Sequence, residues 1–210
     1  MWTRILLCDD HAVVRQGLRA LLEREKFEVS AEAANGYEAV RLARDSCPDV
    51  AILDIAMPVL NGLDAAREIR RACPKSKVLL LTMYTEDRYV LEALRAGIHG
   101  YILKSHAATE LIQAIQQVCQ GKVYLSPGIS QAVVEAYLAK TDIPPEPLSH
   151  REREVLQLVA EGKTTKEVAR FLGVSVKTAE SHRTRIMQKL DIHETANLVR
   201  YAIRRGLIQA

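Results

Sequence analysis

The 210-residue chain is 48% apolar and 26% charged, close to an ordinary globular domain, which argues against a disordered protein. Its length suits one or two domains. The formal charge of +3 is uneven: residues 144–210 carry 12 Lys and Arg against 8 Asp and Glu (+4), the rest 17 against 18 (−1). That asymmetry points to an anionic partner for the C-terminal part. No apolar run approaches a membrane span and no signal peptide precedes the first strand, so the expectation is a cytoplasmic protein with no membrane partner. Cys8, Cys47, Cys73 and Cys119 are widely spaced with no Cys-x-x-Cys pair. That disfavours a zinc site or a disulfide framework and predicts buried free thiols.

Along residues 1–120 two periods alternate. Strand-like runs fall at "RILLC" (4–8), "FEVSAEA" (27–33), "DVAIL" (49–53), "KVLLLT" (77–82) and "GYIL" (100–103). Helix-period stretches lie between and after them: Ala12–Arg24, Gly36–Asp45, Gly62–Ala72, Glu86–Ala96 and Ala107–Cys119. Five strands alternating with five helices predict an α/β fold, a parallel five-stranded sheet with right-handed crossovers and helices on both faces. The unbroken apolarity of "VAIL" and "VLLL" fits strands buried on both sides. Gly97 in "AGIHG" suits a helix C-cap.

A linker is expected over 121–147, with a short helix at Ile129–Ala139 and a stiff proline segment, "KTDIPPEPLSH". From 148 to 210 the pattern is all-α, with four helices. "SHRE" reads as a capping box, with Ser149 as N-cap and Glu152 at N3.

Ligands of a doubly wound sheet gather at the carboxyl ends of its strands. There the sequence places Asp9 and Asp10 after strand 1, Asp54 after strand 3, Thr82 ending strand 4 and Lys104 after strand 5. Each residue alone has a blander reading, Asp9-Asp10 as a helix N-cap among them. Together, three carboxylates in one crevice call for a cation, and Mg²⁺ suits oxygen ligands from Asp9, Asp10, Asp54 and the Ala56 backbone carbonyl. Asp54 then reads as a nucleophile toward phosphorus, with Lys104 and Thr82 placed to contact phosphoryl oxygens. A shift of Thr82 would open space into which Tyr101 could turn.

"LCDDH", "ILDIAMPVLNG", "LLLTMY" and "AGIHGYILKS" together resemble the receiver domain of two-component response regulators over residues 3–120. The resemblance implies a flavodoxin-like fold, phosphorylation at Asp54 by a sensor histidine kinase, Mg²⁺ bound by the three aspartates, and a Thr82–Tyr101 switch. Ser105 departs from the proline many receivers carry after this lysine, which leaves the Lys104–Ser105 peptide isomer open.

In the C-terminal part "TTKEVARFLGVS" reads as a helix, a tight turn at Gly173 and a restart at Ser175, which is helix-turn-helix spacing. The second helix turns Ala179, Ile186 and Leu190 inward. Outward it presents Lys177, Glu180, Ser181, His182, Thr184, Arg185 and Lys189, candidates for contact with double-stranded DNA. The pattern "LSxRExEVL…AEGKTxKEVA…SVKTxExHRxxIxxKL" resembles the LuxR-type helix-turn-helix, and the two parts together the NarL/FixJ subfamily. The resemblance implies a transcription regulator that dimerises when phosphorylated. Two rivals stand beside it. A DNA-binding regulator could use its receiver only as a dimerisation scaffold. An aspartyl-phosphate hydrolase would need a general acid two residues beyond Asp54, where Ala56 stands, so no enzymatic activity is expected.

Overall fold

A computed structural model describes residues 2–83, 87–129 and 147–208, and the chain divides into two compact units. The expected linker helix, except Ile129, lies outside the described residues, as does the proline segment before Pro147.

In the first unit the five expected strands form as β1 (Arg4–Cys8), β2 (Glu28–Ala33), β3 (Val50–Asp54), β4 (Lys77–Thr82) and β5 (Gly100–Leu103). The helices are α1 (Ala12–Arg24), α2 (Gly36–Ser46), α3 (Gly62–Ala72), α4 (Asp87–Arg95) and α5 (Ala107–Cys119). All strand pairs are parallel, in the order β2-β1-β3-β4-β5 with a sixth strand, β6 (Tyr124–Leu125), outside β5. The sixth strand corrects the five-strand expectation. Tyr124–Leu125 (β6) adds to the β5 edge opposite Gly100 and Tyr101. Two residues are too few to leave an alternation in the sequence, and their pairing comes from the β5 backbone.

Alternation along the central strands divides the core between two faces. Ile5 and Leu7, Val50 and Ile52, Leu79 and Leu81, and Ile102 pack with Leu18 and Leu22 of α1 and Leu111, Ile115 and Val118 of α5. The intervening Leu6, Ala51, Leu53, Val78 and Leu80 are equally buried on the opposite face. Each such aliphatic side chain contributes about 1.5–3 kcal/mol on burial.

Helix boundaries follow their capping chemistry. Asn35 and Asn61 accept hydrogen bonds from the Glu38 and Asp64 amides and start α2 and α3. Gly97, at φ +70°, ends α4 in the left-handed conformation that glycine adopts without a Cβ penalty.

The cysteine expectation is corrected in two places. Cys47 and Cys73, which follow α2 and α3 directly, form a disulfide, and Cys119 is exposed; only Cys8 is the expected buried thiol. Two parallel crossover helices end side by side, so residues 26 apart in sequence meet there. Spacing along the chain does not reveal that.

The second unit is helical: α6 (His150–Ala160), α7 (Thr165–Leu172), α8 (Val176–Leu190) and α9 (Thr195–Arg204). The Ser149 capping box forms as expected, and Thr164 with Glu167 makes a second one. Gly173, at φ +64°, closes α7, and Ser175 caps α8 two residues later. Val155, Leu156, Val159, Val168, Ala169, Ala179, Ile186, Leu198 and Ala202 form the core that joins the four helices.

Candidate functional site

The β1 and β3 ends lie side by side because these strands pair directly, Cys8 opposite Leu53. Asp9, Asp10, His11 and Asp54 therefore each bring a ligand-type atom to within 4.8 Å of one another. Asp9 and Asp54 are almost fully buried, while the Asp10 side chain stays 29% exposed. Neither aspartate of the β1 pair is the N-cap of α1. His11 holds that position without a side-chain bond, and Asp9 Oδ1 instead accepts from the His11 amide at 2.9 Å.

Lys104 reaches in from the β5 end. Its Nζ lies 2.7 Å from Asp9 Oδ2 and donates to Asp54 Oδ2 at 2.8 Å. Burial pushes the Asp54 carboxyl above the ordinary carboxylate range, and the nearby Asp9 charge adds to this; Lys104 and the Ala56 amide pull the other way and do not cancel it. Burial also disfavours the Lys104 ammonium, yet its contacts with Asp54 and Asp9 outweigh that and hold its pKa above the ordinary lysine value. The lysine is a fixed positive charge in the crevice.

Thr82, the last residue of β4, is fully buried, and so is Tyr101 in β5. The backbones of Leu80 and Tyr101 are opposite each other, as are those of Thr82 and Leu103, so both switch candidates sit on adjacent strands. Ala56 follows Asp54 in the buried turn after β3. The described peptide bonds are all trans, Lys104–Ser105 included.

Sequence reasoning missed two residues of this crevice. His11 follows Asp10 directly and places Nδ1 2.8 Å from Asp10 Oδ1. Gly62 brings its backbone against the Asp54 carbonyl so closely that a Cβ would stand 1.9 Å from that oxygen. Adjacency to Asp10 could have flagged His11; no sequence signal separates Gly62 from any other helix-starting glycine.

The donor set suits a hard divalent cation. Three carboxylates converge, and the buried Asp9 Oδ2 and Asp10 Oδ1 have Lys104 Nζ at 2.7 Å and His11 Nδ1 at 2.8 Å beside them. Buried carboxylate oxygens gathered in one crevice are what Mg²⁺ coordination satisfies.

In the second unit, α7, the Gly173 turn and α8 form a helix-turn-helix. Lys177, Glu180, Ser181, Thr184 and Arg185 are exposed on α8, and Ala179 and Ile186 are buried, with Leu190 partly so. Two candidates differ from the rest. His182 is half-buried, with Nδ1 inside and without a hydrogen-bond partner. Lys189 Nζ pairs with Glu152 Oε2 of α6 at 2.7 Å. Glu152 itself is buried; burial alone would raise its carboxyl pKa, but the bonds from Lys189 and Ser149 bring it below the ordinary range.

A doubly wound sheet with an acidic crevice, carried on one chain with a helix-turn-helix unit, defines the class of signal-controlled gene regulators. Residues 5–116 match the family model for the response regulator receiver domain, and residues 146–202 that for bacterial regulatory proteins of the luxR family. The oxygen regulatory protein NreC of Staphylococcus carnosus is 40% identical over 214 residues, covering 98% of this chain and 99% of that protein. Among solved structures, the Salmonella typhimurium RcsB response regulator is 29% identical with a TM-score of 0.64, over 95% of this chain and 96% of that one. A second RcsB structure, two dimers bound to two parallel DNAs, is 27% identical with a TM-score of 0.60, over 96% and 98% of the two chains. The chain belongs to the two-component response regulators of the NarL/FixJ type. Among the described residues no helix is long and apolar enough to cross a membrane.

Proposed function

We propose that Asp54 accepts a phosphoryl group from a sensor histidine kinase, and that this modification controls how the second unit binds double-stranded DNA. The observation that carries the reading is the placement of Lys104 Nζ within 2.8 Å of both Asp54 Oδ2 and Asp9 Oδ2. It is a cation held where negative charge must be carried during transfer.

An Asp54 carboxylate oxygen attacks phosphorus in line. The P–O bond to Asp54 forms as the P–N bond to the kinase imidazole breaks, and its electron pair stays with the imidazole. Burial keeps bulk water from competing, and Lys104 moves from pairing with the free carboxylate to pairing with a phosphoryl oxygen. Asp9, Asp10, Asp54 and the Ala56 carbonyl would hold Mg²⁺, which supplies charge neutralisation on the phosphoryl oxygens. Thr82 donates its hydroxyl to a further oxygen, and Tyr101 follows it inward, biasing the face around α4. Ala56, two residues beyond Asp54, offers no acid or base, in keeping with a regulator that holds its phosphoryl group.

The DNA contacts fall to Lys177 and Arg185 on phosphates, and to Glu180, Ser181 and Thr184 within reach of base edges, with His182 and Lys189 flanking them. One such unit binds weakly, so a homodimer formed on phosphorylation supplies the affinity. The DNA-bound RcsB dimers support this reading. The domain plan that goes with it is a receiver over 1–120, a linker over 121–147 and a DNA-binding domain over 148–210.

The test is intact mass after incubation with acetyl phosphate and Mg²⁺, followed by gel shift on a duplex selected from a random pool. One phosphoryl adduct on wild type, none on Asp54→Ala, and tighter DNA binding by the phosphorylated sample are expected. An adduct on both proteins would remove Asp54 from its role. Equal DNA affinity with and without phosphodonor would favour a receiver that serves only as a scaffold.

A further inference from the structure

We infer that Ser126 is a positioning residue for phosphoryl transfer, acting through Lys104; the inference rests on the phosphoacceptor reading of the crevice. Ser126 lies beyond residue 116, where the receiver match ends, and directly after β6. Its side chain is nonetheless buried, at 2% exposure. The Ser126 hydroxyl donates to Glu110 Oε2 of α5 and accepts from the Leu103 amide at 3.1 Å. Leu103 is the residue before Lys104.

The rest of β6 serves the same stretch of backbone. The Tyr124 amide donates to the His99 carbonyl at 2.9 Å and the Ser126 amide to the Tyr101 carbonyl at 3.0 Å. Tyr124 also bonds to Glu110 through its side chain. Glu110 thus gathers the Tyr124 and Ser126 hydroxyls, and His106 Nδ1 lies 3.7 Å from its other oxygen. From His99 to Leu103 the outer edge of β5 is dressed by β6, and the last of these bonds comes from a side chain.

That last bond matters because β5 ends there. At Lys104 the chain turns into a short 3₁₀ segment, Lys104–His106, whose leading residue must send its ammonium back to Asp54 and Asp9. A side-chain acceptor on the amide just before the turn fixes where that ammonium originates. Without it a buried N–H loses its partner, and the turn can relax away from the crevice. Misplacing a transition-state cation by an ångström is costly, so Ser126→Ala should slow phosphorylation by about tenfold.

The experiment is a double-mutant cycle on the full chain. It measures the initial rate of Asp54 phosphorylation by acetyl phosphate for wild type, Ser126→Ala, Lys104→Ala and the double variant, with Mg²⁺ affinity read separately. A residue acting through Lys104 gives a slowed Ser126→Ala, Mg²⁺ affinity that does not fall, and no further loss from Ser126→Ala in the Lys104→Ala background. Full additivity, or a wild-type rate for Ser126→Ala, overturns the inference while leaving the phosphoacceptor reading intact. Absence of an Asp54 adduct on wild type overturns that reading and this inference with it. Should Ser126→Ala fail to fold, Glu110→Gln weakens the same relay from its other end and enters the same cycle.

Discussion

Lys104 donates to the Asp54 carboxylate at 2.8 Å across the mouth formed by β3 and β5. On the proposed reading, the pair joins the nucleophile to the cation that would receive the incoming charge. Removing the ammonium leaves Asp54 able to attack but without that compensation. Lys104→Ala is expected to lower the phosphorylation rate with acetyl phosphate by ~100-fold or more, the usual cost of losing one preorganised charge-stabilising donor. Time-resolved intact mass checks it; a rate within twofold of wild type would put the stabilising charge elsewhere.

Gly62 tests how tightly the backbone of Asp54, the proposed phosphoacceptor, is held. A Cβ at this position would meet the Asp54 carbonyl oxygen at 1.9 Å and its carbon at 2.8 Å, so backbone must move. Gly62→Ala should destabilise the first unit by about 1–3 kcal/mol. It should also cut adduct formation, because the atom displaced belongs to Asp54. A lowered urea midpoint with a normal phosphorylation rate would mean that the strain relaxes into α3.

The parts of this molecule legible in its sequence share one property: neighbours along the chain, or a simple period, determine them. "VAIL" and "VLLL" announce strands buried on both faces, and strand ends carrying Asp9, Asp10, Asp54, Thr82 and Lys104 announce the crevice. The capping box at Ser149 and the turn at Gly173 are equally local. What was not legible depends on a partner distant in sequence. Strand β6 exists because β5 offers it a backbone edge. The Cys47–Cys73 disulfide exists because α2 and α3 end together. Periodicity put Lys189 and His182 on the outer side of α8 but could not show that Glu152 holds the first or that the second is half-buried.

The disulfide gives a direct measurement. It closes a loop across 26 residues, for which loop entropy predicts about 3 kcal/mol of stabilisation. Thiol titration of the unreduced, denatured protein should find two reactive cysteines, Cys8 and Cys119, of the four in the chain. Reduction should lower the first unit's melting temperature by roughly 10 °C. Four titratable thiols without reductant would show that Cys47 and Cys73 stay apart.

His99 makes stability depend on pH in a defined window. Its Nδ1 accepts from the Val78 amide at 3.2 Å. Burial, with Lys77 and Arg70 nearby, pushes its pKa down from 6.5 to about 4. The folded state therefore binds this proton less readily than the unfolded state. Stability is fully present above the unfolded pKa and is lost as pH falls from 6.5 toward about 4. Solvent screening of a half-buried ring reduces the effect to an order of about 1–3 kcal/mol. His99→Gln keeps an acceptor without the titration. Urea midpoints for the two proteins should differ in pH dependence across this window, and parallel curves would remove His99 as the cause.

Two basic residues on α8 should separate folding from DNA binding. Arg185 is exposed, so Arg185→Ala should leave the melting temperature of the second unit unchanged. It should reduce the salt dependence of DNA binding by about one counterion, the signature of one lost phosphate contact. Lys189 differs because its ammonium lies 2.7 Å from the buried carboxylate of Glu152, which also accepts from the Ser149 amide in the α6 capping box. Lys189→Met removes one partner of a part-buried pair and leaves Glu152 charged beside the core. The cost should reach about 1–3 kcal/mol of folding stability. The Glu152 carboxyl pKa is below its ordinary value in the folded state, so this contribution is present above the unfolded glutamate pKa and disappears as pH falls through the folded one. The wild-type advantage over Lys189→Met should therefore shrink in acid. Equal stability of the two at neutral pH would show that Lys189 is free to reach DNA phosphate.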